Sequence, residues 1–96
     1  MAYAVEAVSW TGDALVESVR WHAFEYVDGG LRKGPSVICT IAKVAKAAES
    51  GEDLYLCYRG AVGRKIAVST LPDGRKTLVD LPSGDQEQAL NDLPGI

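Results

Sequence analysis

The sequence predicts an α+β fold, a mostly antiparallel β-sheet of about five strands carrying one amphipathic helix, in the order β-β-α-β-β-β. Three observations predict it. Apolar and polar residues alternate over several short segments. Residues 37–49 instead carry apolar side chains at helical spacing, and Gly, Pro and Asp clusters punctuate the chain between segments.

Residues 3–10, Tyr-Ala-Val-Glu-Ala-Val-Ser-Trp, are short and rich in β-branched and aromatic side chains, and Thr11-Gly12-Asp13 supplies turn chemistry after them. From Leu15 to Val27, Val19, Trp21 and Ala23 point one way while Ser18, Arg20 and His22 point the other. Phe24 and Tyr26 fall on the polar track, so either the register shifts at a bulge or the far face is covered there. Asp28-Gly29-Gly30 ends the strand, and the chain to Pro35 reads as a loop. Ser36 is placed as an N-cap for a helix over 37–49, whose stripe is Val37, Ile38, Ile41, Val44, Ala45 and Ala48 and whose stop is Gly51. The opposite side holds Cys39, Ala42, Lys43, Lys46 and Ala47, a small-residue surface with room for a second partner. Leu54, Leu56 and Tyr58 then alternate with Tyr55, Cys57 and Arg59. Gly60 to Gly63 turns the chain into a strand over Lys65–Thr70, and Pro72-Asp73-Gly74 turns it into Lys76–Leu81, which Pro82-Ser83-Gly84 ends. The tail, 85–96, reads as loosely ordered apart from one helical turn around Ala89 and Leu90.

A chain of 96 residues, 47% hydrophobic and 24% charged, suits a single domain over 1–96 with one core. Its net charge of −3 disfavours phosphate polymers and anionic lipid surfaces. With neither a basic leader after Met1 nor a long apolar run, no signal peptide or membrane span is expected, and the expected location is the cytoplasm. Cys39 and Cys57 make at most one bridge, which is no disulfide framework, and free thiols are expected in a reducing compartment.

No catalytic, metal or cofactor constellation is legible. His22 is the single histidine; a cysteine–histidine pair is recognised by geometry, and a solvated strand histidine with two structural thiols is the commoner arrangement. Zinc needs three or four ligands at characteristic spacing, which are lacking, and Gly60, Gly63 and Gly74 sit in hairpin-like turns rather than in a phosphate loop. In the first turn of the expected helix, Cys39 would feel the helix dipole and the Lys43 ammonium, both favouring thiolate; the plainer reading is a small residue buried at a second contact. Arg59, Arg64 and Lys65 on one hairpin, Arg75 and Lys76 at the next turn and Tyr55 as a stacking platform make a candidate nucleic-acid surface, against which stand Glu52, Asp53, Asp73 and Asp80 nearby. Trp10, Trp21, Phe24 and Tyr26 read mainly as core, with Phe24 and Tyr26 the expected exposed pair.

The second half resembles a bacterial family of small proteins, domain of unknown function 3892. The resemblance rests on Ala48-Glu49-Ser50-Gly51-Glu52-Asp53 before Leu54-Tyr55-Leu56, on Gly74-Arg75-Lys76, on Ser83-Gly84 and on Ala89-Leu90-Asn91-Asp92-Leu93-Pro94. It covers about half the chain; the sequence departs from the family's aromatic-and-threonine pattern after Gly74 and in ending at Ile96. The resemblance implies no activity and no functional residues.

The sequence therefore reads as a non-enzymatic interaction module that self-associates as a homodimer or takes a protein partner not identified by sequence. Its expected surface is Cys39, Ala42, Lys43 and Lys46 with Phe24 and Tyr26. The alternatives are a thiol-dependent or redox-responsive protein acting through Cys39 and a weak nucleic-acid binder acting through the Arg59–Lys65 hairpin.

Overall fold

Alternation sets the strands, and one sheet takes them all. The computed structural model describes residues 2–81 and 89–96. Its elements are β1 (Ala2–Trp10), β2 (Val16–Val27), β3 (Gly30–Lys33), β4 (Val37–Thr40), α1 (Ile41–Glu49), β5 (Asp53–Tyr58), β6 (Ala61–Thr70), β7 (Lys76–Asp80) and a 3-10 turn at Leu90–Asp92. The fold is α+β and mostly antiparallel with one α-helix, as expected, but the described sheet has seven strands rather than about five, and β3 and β4 precede the helix.

The sheet order is β3-β2-β1-β5-β6-β7, with β4 also on β2. Residues 24–27 of β2 pair with β3 and residues 18–21 with β4, so β3 and β4 form one interrupted edge. β1 and β5 are the parallel pair, Ala2 to Val5 against Asp53 to Leu56. A parallel pair needs a crossover, and the run from the β4 edge through α1 into β5 provides it.

The helix begins at Ile41, with Thr40 in the N-cap position, so Ser36 is not its cap. Residues 37–40 are extended because Val37, Ile38 and Thr40 are β-branched and the edge of β2 offers four residues of unpaired backbone. Val37 and Ile38 matched the helical stripe only because they precede Ile41 by four and three positions. The stop lies where Gly51 placed it: Gly51 has φ +91°, and the amides of Gly51 and Glu52 return to the Ala48 and Ala47 carbonyls.

Val44 and Ala45 of α1 are buried, with Ile41, Ala47 and Ala48 packed beside them, over Val5, Val19, Trp21, Leu54, Leu56 and Ile66. Ala47 therefore belongs to the packed side of the helix, leaving Ala42, Lys43 and Lys46 exposed. Trp21 stacks on Tyr3 with ring centres 4.1 Å apart. On the other face a smaller cluster of Ala4, Phe24 and Cys57, flanked by Tyr55 and Val62, covers the sheet. Phe24 is thus buried because the far face is covered, with no register shift beside it in β2; the extra residues of the β1–β2 pairing are Glu6 of β1 and, at the other end, Glu17 of β2.

The strand stop expected at Pro82-Ser83-Gly84 and the tail from 85 to 88 lie outside the described residues. Residues 89–96 are docked rather than loose: Leu90 and Leu93 are buried, Val8 donates to the Pro94 carbonyl and accepts from Ile96 N–H, and Val8 bridges Gly95 in parallel. The expected helical turn is there, as the 3-10 turn. No described helix is long and apolar enough to cross a membrane.

Candidate functional site

The candidate site is built around the bulge in β1. In β1, Val5 pairs with Trp21 and Ala7 with Arg20, so Glu6 is the extra residue of a bulge. Its carboxylate collects partners from two elements. Glu6 Oε2 accepts from His22 Nδ1 on β2 at 2.5 Å and from Ser36 Oγ, just before β4, at 2.5 Å. Arg20 Nε lies 3.7 Å from Oε1.

Burial pushes the Glu6 carboxyl up, but hydrogen bonds from Ser36 and His22 and the charges of His22 and Arg20 outweigh it, and the net pKa is below the ordinary 4.5. An ionised carboxylate can only accept, so the proton of this contact sits on His22 Nδ1. His22 is buried, its side chain 5% exposed, and not the solvated strand histidine of the sequence reading.

These side chains floor a cleft of about 470 Å³, within the range of small-molecule sites. One lip is the Lys33–Ser36 connection between β3 and β4, the other the turn through Arg59 and Gly60 between β5 and β6. Arg59 has φ +51°, an uncommon conformation for a side chain other than glycine, and stacks its guanidinium over Tyr58 at 5.3 Å.

Cys57 also lines this cleft. Burial raises its thiol pKa, as does the Glu6 charge, against weaker lowering by the Gly60 N–H and Lys33. Cys39 lies in β4 opposite Val19, inside the helix-side core, where burial raises its pKa despite Lys43. It is therefore in no helical turn, and its expected dipole activation is absent. The two thiols belong to clusters on opposite faces of the sheet, and both are free.

The expected interaction residues separate. Phe24 and Cys39 are buried, Tyr26 is 74% exposed, and Ala42, Lys43 and Lys46 are exposed on α1. Trp21 is core, whereas Trp10 is partly exposed.

The expected nucleic-acid cluster also separates. Arg59 and Arg75 stand at opposite ends of the ten-residue β6, about 30 Å apart at strand rise. Lys65 pairs with Asp53 at 3.1 Å, Arg75 with Asp13 and Asp73 at 2.7 Å each, and Arg64 with Asp80 at 3.9 Å. Tyr55 packs edge-on against Phe24 with ring centres 5.8 Å apart.

No group of three or more metal-ligating side chains occurs among the described residues. Glu6, Lys33 and Ser36 were missed as site residues; the one signal for Glu6 was a lone carboxylate inside the apolar run Ala4-Val5-Glu6-Ala7-Val8. Comparison of the chain with protein-family models, curated proteins and solved structures finds no match in any of the three.

Proposed function

We propose that the chain is a non-enzymatic interaction module that self-associates through the edge formed by β3 and β4. The supporting observation is the contrast between the two ends of the sheet. At β7, the hydroxyl of Thr77 accepts from Val16 N–H and the carboxylate of Asp80 accepts from Leu90 N–H, so neighbouring segments are tied along that end. Among the described residues the β3–β4 edge pairs on one side only, with β2, and exposes Leu31, Val37 and Ile38 beside Tyr26 and Val27 of β2. Open apolar edges invite strand pairing.

A second copy of the chain is the occupant that suits this edge. β4 contains no charged residue, so antiparallel self-pairing about an axis between Ile38 and Cys39 sets Val37 opposite Thr40 with no like charges facing. In that register Arg32 and Lys33 fall away from the axis, and Pro35, which lacks an N–H, confines the pairing to β4. Ala42 and Lys43, exposed at the start of α1, adjoin the same edge. A cytoplasmic location and kinship with domain of unknown function 3892 belong to the same proposal; both rest on sequence alone.

Light scattering over a concentration series tests the reading. A dimer is expected for the wild-type chain and a monomer for Ile38→Lys, which alters a side chain 59% exposed and spares the core. A strict monomer at high concentration, or a dimer indifferent to Ile38→Lys, contradicts it. Dimerisation that survives Cys39→Ser separates this reading from thiol chemistry.

A further inference from the structure

We infer that the cleft between the Lys33–Ser36 connection and the β5–β6 turn binds a small hydroxylated oxyanion, a molecule joining a phosphate or carboxylate group to a hydroxyl-bearing body. This rests on the cleft alone and is independent of the β4 edge. Three cations, Arg20, Lys33 and Arg59, line it against two carboxylates, Glu6 and Asp92, in a chain whose net charge is −3. The carboxylates are engaged: Glu6 with His22, Ser36 and Arg20, and Asp92 Oδ2 as acceptor from Ala89 N–H. Arg20 offsets Glu6, whereas Lys33 and Arg59 form no ion pair with a described residue and sit on opposite lips. Two such cations over a cleft of about 470 Å³ attract an anionic group.

The floor specifies the rest of the ligand. Glu6 Oε2 is occupied by His22 and Ser36, but among the described residues Oε1 has only Arg20 Nε at 3.7 Å, beyond hydrogen-bond reach. Glu6 lines a cleft rimmed with positive charge, and a ligand hydroxyl is a donor that satisfies this acceptor without adding charge. The left-handed Arg59 fits the same account, since the turn carries an arginine where glycine is the unstrained choice.

The test is a nuclear magnetic resonance titration of the full chain at fixed ionic strength with inorganic phosphate, glycerol 3-phosphate, lactate and glycerol. Saturable shifts at the Gly34, Ser36 and Gly60 amides are expected with glycerol 3-phosphate or lactate, and which of the two binds tighter identifies the anionic group. Glycerol 3-phosphate should bind about tenfold tighter than inorganic phosphate, the worth of one charge-assisted hydrogen bond. Arg59→Gly, which suits the turn's backbone, and Lys33→Ala should each weaken both ligands. Glu6→Ala, which removes the hydroxyl's partner, should erase the advantage of glycerol 3-phosphate while leaving inorganic phosphate bound. Absence of saturable shifts with every anion, shifts equal with glycerol, or affinities indifferent to Arg59→Gly and Lys33→Ala would overturn the inference.

Discussion

Glu6 shows how one inserted residue changes a strand. Without the bulge, β1 would continue in simple alternation; with it, Glu6 and Ala7 stand together opposite Arg20, and the carboxylate meets His22 and Ser36. The folded pKa of Glu6 lies below 4.5, so its contribution to stability is present above pH 4.5 and is lost as pH falls through the folded value. Urea unfolding between pH 3 and 7 should therefore show the wild type losing stability on the acid side more steeply than Glu6→Gln. Equal acid limbs would contradict the assignment. The cysteines give a second residue-scale expectation: with both thiols buried and their pKa values raised, iodoacetamide at neutral pH should label native Cys39 and Cys57 more slowly than a free thiol, and rapidly once the chain is unfolded. Mass spectrometry of the labelled chain reads this directly.

At the scale of elements, the helix and the strands β1, β2, β5, β6 and β7 with their turns were legible in the sequence, and β3 and β4 were not. The 3.6-residue spacing of Ile41, Val44, Ala45 and Ala48 and the glycine after them defined α1 from Ile41 onward. Its N-terminal boundary failed because Val37 and Ile38 satisfy helical spacing and strand propensity equally, and the unpaired backbone of β2 decided between them. β3 is all exposed and carries no burial pattern to read. Gly51 is held at φ +91° with open space around its Cα, so Gly51→Ala meets strain without a clash and should cost about 1 kcal/mol in equilibrium unfolding. A neutral result would mean that the helix stop does not depend on the left-handed backbone.

For the whole molecule, the decisive contacts join segments distant in sequence. Thr77 on β7 accepts from the Val16 N–H 61 residues earlier, at 2.9 Å and out of water. Thr77→Val keeps the shape and leaves that amide unpaired, so a loss of about 1–3 kcal/mol is expected by denaturant titration. Arg75 spans the same two regions, from the β6–β7 turn to Asp13, but its side chain is 53% exposed; Arg75→Ala should leave the unfolding midpoint within error of the wild type. If Arg75 mattered more than Thr77, surface charge rather than the buried hydrogen bond would hold β7 to β2. The docked residues 89–96 belong to the same scale, since Leu93 and the Val8–Gly95 bridge complete the sheet beside β1 where β5 leaves it.

By itself the sequence determined the α+β class, the inner strands, the helix from Ile41 and the turns at Gly51 and Gly74, because these follow from periodicity and backbone freedom within a few residues. Only the tertiary structure decided that residues 37–40 pair with β2, that Cys39 and Cys57 lie on opposite faces, and that Glu6, His22, Ser36, Lys33 and Arg59 share one cleft. Each of those outcomes depends on which strands become neighbours, and strand pairing joins residues far apart in the chain whose identities carry no local mark of their partners.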